Sequence, residues 1–544
     1  MSRIFFYNAD ILTMDPTRPQ ASTLLIENGR IAAVGGNHAV LPGARSAQCV
    51  NLQGRTILPG FLDGHSHLVS NSYELLFANA APAPRGECDD IPSLVVSLQK
   101  QFSAWLPTRR KGQWFVAVGL ETGAFPGGVA PSKYDLDRIS KEVPVAVVFA
   151  GGHAAVFSSL ALSLCGITRR TRCPAGGAMP KLPVSDEYSG VLQENAFFAQ
   201  SAHIKTPGLS SMLNALKASV AEYASYGITT AQDAHVMPDD WKLIRLAQFL
   251  HIFRFDVDLY FDPALAGEAL PRRDPAQNGY RRHVRLAGCR LFLDGTIQGR
   301  TAWLSEPYYT PPAGHAEGYC GTGIFTDDAV MQQLETCLRN RWQVSVHASG
   351  DAAAEQLIRC YEAVLQRNPD APPLRPIALH CQVLRPGQLA RMAALGMGAS
   401  FFCDQIWFWG DADNAATLGP ARAQALCPVK GALDAGIPCS LHQDTPVVPP
   451  NVLLAVQNAV LRKTKSGRVL GADQRLTVQQ ALECVTIRSA WQLFQEHDKG
   501  SLAPGKRADF VILAQNPLKV PPEEIGRIPI LATFKDGKPI FEAP

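Results

Sequence analysis

The chain has 544 residues, of which 46% are hydrophobic and 18% charged. That apolar mass can build a large core and excludes a disordered polymer. Lys plus Arg number 51 against 48 Asp plus Glu, a net charge of +3, so a nucleic-acid backbone is excluded as the main partner.

The first elements are strand-like. Phe5 to Met14, Thr23 to Glu27 and Arg30 to Val34 are short β-prone runs, and Asn28-Gly29 between the last two predicts a tight hairpin. The N-terminal apolar run is too short for a signal peptide. Residues 143–168 contain no Asp, Glu, Lys or Arg, but glycines and serines interrupt them. A buried strand at Val143–Ala150, a turn and a helix describe them better than a membrane span. Thirteen cysteines, none in a CxxC pair, read as reduced core thiols. These features together predict a soluble, cytoplasmic protein with no membrane or nucleic-acid partner.

Eight apolar runs of strand length follow in series: Ile57–Leu62, Ile228–Ala234, Phe253–Phe261, Cys289–Asp294, Val344–His347, Ile377–His380, Gly398–Phe402 and Pro438–Asp444. Amphipathic stretches such as Met212–Tyr226, Ala352–Gln366 and Pro386–Leu395 lie between them. Eight such β/α units predict a (β/α)8 barrel over residues 57–498. About 165 residues separate the first two runs, so an insertion with its own structure is expected at about 75–225. Ala508–Leu513 and Ile530–Phe534 return to strand texture. Residues 1–56 and 499–544 are therefore expected to form one composite β-sandwich.

The candidate chemistry sits where the barrel strands end, the face on which such barrels carry their active sites. The first run closes on His65-Ser66-His67, and alternate residues of a strand share a face. His347 ends the fifth run, His380 the sixth and Asp444 the eighth. Imidazole and carboxylate ligands around an open position suit a catalytic divalent ion, zinc foremost.

The segments PGFLDGHSHL, LFLDGTIQGRTAW, VHASGDAAAEQLI, QDTPVVPP and KGSLAPGKRADFVIL resemble the metal-dependent amidohydrolase superfamily. Within it they are most similar to amidohydrolase family 3, the YtcJ-like branch that includes N-substituted formamide deformylases. The resemblance implies a distorted (β/α)8 barrel with a small β-sandwich built from both chain ends. It also implies that His65, His67 and Asp444 bind a first metal. His347 and His380 bind a second metal in binuclear members. In mononuclear members the first of these joins the first site, and the second orients water or substrate. The branch carries a bridging Lys where this chain has Arg290. A guanidinium cannot become a bridging carbamate, so the expected site is one metal on His65, His67, His347 and Asp444.

The expected reaction is hydrolysis of a non-peptide C–N bond in an amide, an N-substituted formamide or a cyclic amide. A bound divalent ion lowers the pKa of its water from about 15.7 to about 7. Asp444 serves as general base and acid, and His380 polarises the carbonyl. His442 shares a strand face with Asp444 and is expected to support or pack against the site. His153, in a segment similar to the family's GHxA stretch, Arg300, Phe402 and Trp407 are candidate substrate contacts, pointing to an apolar or aromatic small molecule. The resemblance allows a homodimer. Two alternatives stay open: an inactive amidohydrolase-like scaffold or binding protein, and a ring deaminase or ester or carbamate hydrolase using the same residues.

Overall fold

The structure is a computed structural model. It describes residues 3–36, 47–83, 85–122, 125, 129–150, 154–174, 177–183, 185–204, 208–263, 279–312 and 315–544. The chain divides into two compact units. One comprises Met1–Leu68, Val220–Thr445 and Pro450–Pro544, and the other Val69–Ser219 with Pro446–Pro449.

The larger unit is built on an eight-stranded sheet whose neighbours all pair in parallel. Its strands in order are β1 (Phe61–Leu62), β2 (Ile228–Val236), β3 (Asp256–Phe261), β4 (Val284–Phe292), β5 (Gln343–Ala348), β6 (Ile377–His380), β7 (Gly398–Phe401) and β8 (Cys439–Leu441). Nearly every residue in them is buried, as expected when a parallel sheet is covered on both faces. The crossover helices show why they form. Helix Asp327–Arg339 is capped by the Thr326 hydroxyl, which accepts from the Ala329 N–H. It carries Asp327 and Asp328 in its first turn and Arg339 in its last, matching the helix dipole. Helix Asp351–Arg367 buries Ala354, Leu357, Ile358, Tyr361 and Val364, a stripe at three- and four-residue spacing. The loops after the first and last strands are bonded to each other. Asp444 N–H donates to His65 O (3.2 Å) and His67 N–H to Thr445 O (2.7 Å). The sheet thus curls into a TIM-like barrel.

The first predicted barrel strand is in fact two. Thr56–Pro59 belongs to a different sheet, where it pairs antiparallel with Phe510–Leu513, and only Phe61–Leu62 enters the barrel. Gly60 makes the switch: a Cβ there would lie 2.3 Å from the Thr229 side chain. Phe5 to Met14 is also interrupted. Asn8 adopts a left-handed conformation (φ 53°) between strands Arg3–Tyr7 and Asp10–Leu12. The Asn28-Gly29 hairpin forms with both residues at positive φ, as a primed turn requires.

Both chain ends contribute to two further sheets. A four-stranded sheet contains Arg30–Gly35, Thr23–Glu27, Arg3–Tyr7 and Gln48–Asn51. A six-stranded sheet contains Lys538–Glu542, Ile530–Lys535, Phe510–Leu513, Thr56–Pro59, Asp10–Leu12 and Gln20–Ala21. They share one core, in which Phe510 and Phe534 stack at 4.4 Å and Phe6 meets both rings edge-on. A buried ion network joins the C-terminal segments to the start of β3. Asp256 accepts from Lys499 and Lys535, each at 2.6 Å, and Lys535 also bonds Asp509.

The smaller unit holds a six-stranded mixed sheet centred on Phe115–Leu120, Val145–Phe149 and Ala154–Phe157. Helix Ile91–Trp105 packs on it through Leu94, Val95 and Leu98. The charge-poor segment from residue 143 thus contains two antiparallel strands before its helix, Ser159–Leu164, one more than expected. Among the described residues no helix is long and apolar enough to cross a membrane.

Candidate metal centre

His65 and His67 follow β1 instead of extending it, and the backbone bonds to Thr445 and Asp444 set them opposite the end of β8. Gly64 allows this approach, since a Cβ there would lie 2.7 Å from Ser440 Oγ. Ligand atoms of His65, His67 and Asp444 all fall within 4.8 Å of one another. Asp444 Oδ1 is 3.0 Å from His65 Nε2 and 3.4 Å from His67 Nε2. His65 is fully buried, yet among the described residues neither ring nitrogen makes a hydrogen bond. A buried imidazole left unsatisfied beside a carboxylate is the donor set a divalent cation completes. Asp444 sits at positive φ (55°), a strained conformation for a non-glycine residue that sites tend to retain. Burial and the nearby Arg290 cation lower His65, keeping it neutral with a lone pair to offer. The Asp444 and His67 side chains remain 14% and 20% exposed, so the centre faces an opening.

His347 lies outside this convergent group, unlike the four-ligand set expected. Its Nε2 is 2.9 Å from Gly295 O and 3.0 Å from Ser349 Oγ. A carbonyl only accepts, so Nε2 carries the proton and Nδ1 the lone pair. That lone pair faces Arg290 Nη2 at 3.4 Å. Burial, then Arg290, lower the His347 pKa to about 4. Asp294 organises the surrounding loops and was not singled out from the sequence. It accepts backbone N–H bonds from Trp303, Ser349 and Gly350 at 2.8–2.9 Å. This one carboxylate therefore ties together the LFLDG, GRTAW and HASGD segments. Its signal was present in the sequence as the Asp of LFLDG.

His380, also at positive φ (69°), ends a buried chain of polar contacts. Gln492 Nε2 donates to Gly64 O (2.7 Å), so its amide oxygen accepts. Ser440 Oγ shares its proton between that oxygen and Ser400 Oγ, 2.7 Å away. Ser400 Oγ lies 2.8 Å from His442 Nδ1, and His442 Nε2 lies 3.3 Å from His380 Nδ1. Among the described residues the buried His380 Nε2 has no hydrogen-bond partner. His442 thus belongs to the support of the centre.

Phe402 is 1% exposed and stacks on His442 at 5.7 Å, so it packs beneath the centre. Trp407 is half-buried on helix Asp404–Ala412. Arg300 donates to Thr310 O and Pro311 O, stabilising its own loop. His153 lies outside the described residues.

Comparison with known proteins agrees with this architecture. The sequence profile of the amidohydrolase family matches residues 48–541. The N-substituted formamide deformylase of Arthrobacter pascens is 25% identical, covering 99% of this chain and 98% of its own. Protein LONG AFTER FAR-RED 3 of Arabidopsis thaliana is 28% identical, covering 98% and 91%. An uncharacterized metal-dependent hydrolase of Pyrococcus horikoshii superposes with a TM-score of 0.73 at 21% identity, over 96% of this chain and 100% of that one. The profile match spans far more than half the sequence, and the chain belongs to the amidohydrolase family, hydrolases acting on carbon–nitrogen bonds.

Proposed function

We propose that the protein is a metal-dependent hydrolase of a small amide, an N-substituted formamide or a cyclic amide. The observation that carries this reading is the convergence of His65, His67 and Asp444 within 4.8 Å, with His65 buried and neither of its ring nitrogens hydrogen-bonded among the described residues. These three side chains would hold one divalent cation, with zinc favoured by the nitrogen-rich donor set. When bound, the cation supplies a nucleophilic hydroxide at neutral pH. Asp444 takes the proton from the attacking water and returns it to the departing amine. His380, whose buried Nε2 has no hydrogen-bond partner among the described residues, polarises the amide carbonyl as charge grows on its oxygen. His347 supports the centre through the Gly295 carbonyl and Arg290. The two terminal sheets play the part of a small β-sandwich beside the barrel. Trp407 offers an aromatic wall for the substrate.

Elemental analysis after gentle purification tests the reading, followed by a screen of N-formyl, N-acyl and cyclic amides against metal-reconstituted protein. About one equivalent of metal and amine release that a chelator abolishes are the expected results. A metal-free protein that gains no activity with added zinc, iron or manganese overturns it and favours a scaffold role. Ammonia as the sole nitrogen product identifies a deaminase instead.

A further inference from the structure

Arg290 stands apart from the other deeply buried cations of the larger unit. Arg285, on the same strand β4, is held by Asp258 (2.6 Å) and Leu493 O (3.0 Å). Lys499 and Lys535 share Asp256. Arg462 gives its N–H groups to the carbonyls of Leu470, Cys427 and Leu426. Arg290 is 1% exposed, but among the described residues it has no carboxylate within 4 Å, and its Nε and Nη1 make no hydrogen bond. Its one polar contact among them is Nη2 to His347 Nδ1. A guanidinium stays protonated at neutral pH.

A buried, unpaired guanidinium is costly, and a metal on His65, His67 and Asp444 would add further positive charge nearby. The ring of Phe292 covers one face of the guanidinium, with Cζ 4.7 Å from the ring centroid. Unused donors remain in the guanidinium plane, the plane in which a carboxylate binds an arginine.

We infer that Arg290 is the anion receptor of this centre, and that the substrates are amides carrying a carboxylate beside the scissile C–N bond, such as N-acyl or N-formyl amino acids. The inference rests on the hydrolase reading for the reaction but not for the binding step. The carboxylate would supply the counter-charge the fold omits and would orient the amide toward the metal side of the mouth.

Binding can be tested without metal. Calorimetry with benzoate and benzamide as probes is run on the full chain, chelator-treated and metal-loaded, for wild type, Arg290→Met and Arg290→Lys. The chelated wild type should prefer benzoate, and Arg290→Met should lose that preference by about tenfold or more, the worth of a charge-assisted bond. Arg290→Lys should retain part of it. Arg290→Met should also melt higher than wild type, because an uncompensated charge is removed; a purely structural arginine would make it melt lower. Equal benzoate affinity in wild type and Arg290→Met, or a lowered melting temperature in the methionine variant, overturns the inference. If metal never binds but the Arg290-dependent benzoate preference stands, the hydrolase reading falls and the anion site survives. If metal and amide hydrolysis are found but benzoate and benzamide bind alike, the anion site falls alone.

Discussion

Ser400→Ala tests whether the buried polar chain behind His380 supports the centre. Ser400 Oγ lies 2.8 Å from His442 Nδ1, and both residues are fully buried. His442 Nε2 in turn lies 3.3 Å from His380 Nδ1. Without the hydroxyl, His442 Nδ1 loses this partner. Leaving a buried polar group unpaired costs about 1–3 kcal/mol. The alanine variant therefore loses the support behind both rings, and a loss of about 10–100-fold in activity or metal affinity follows, the usual effect of removing a support behind a metal site. Nitrogen-15 correlation spectra of the histidine rings report any change of tautomer, alongside kcat/KM. Ser400→Thr, which restores a hydroxyl, should recover both. If Ser400→Ala leaves the His442 and His380 ring signals and kcat/KM unchanged, the chain does not support this residue.

Three other perturbations have defined outcomes. Asp444→Asn should remain folded by circular dichroism while turnover falls by about 10²–10⁴-fold, the range for a lost general base. Asp256→Asn strips two buried lysines of their shared anion; a cost of about 3–5 kcal/mol should appear as a lower thermal midpoint, and an unchanged midpoint refutes the network's role. Burial pushes Asp404 up to about 7, with only Asn458 among the described residues bonding its carboxyl. The folded state thus holds a proton that the unfolded chain releases near the ordinary Asp value, so this group's contribution to stability declines as pH rises from about 4 to about 7 and then levels. Asp404→Asn should therefore gain on wild type across that window in denaturant melts, and parallel pH profiles would contradict the assignment.

Much of the barrel was legible because strands buried on both faces read as continuous apolar runs and their helices as amphipathic stripes. Ala352–Gln366 falls within helix Asp351–Arg367, and Met212–Tyr226 and Pro386–Leu395 overrun helices Leu209–Ser225 and Pro386–Ala394 by one residue each. What misled was continuity. Ile57–Leu62 is one apolar run in sequence but serves two sheets, because Gly60 redirects the chain at a point no hydropathy pattern marks. The centre was half legible. The spacing of His65 and His67 and the carboxylate closing the last strand were readable. Which way His347 turns was not, because it depends on the Gly295 carbonyl and on Arg290, 52 and 57 residues away in sequence. The polar chain through Ser400 and Ser440 likewise ends on Gln492, a residue with no local pattern.

The sheet switch at Pro59-Gly60 makes the tail of the protein a determinant of its chemistry. Phe510–Leu513 clamps Thr56–Pro59, the segment leading directly into the two histidines. A premature stop codon that spared every proposed ligand but removed that clamp would be expected to yield a protein unable to keep its ion. Affinity handles and deletions at the carboxyl end accordingly deserve the same caution as substitutions at the mouth.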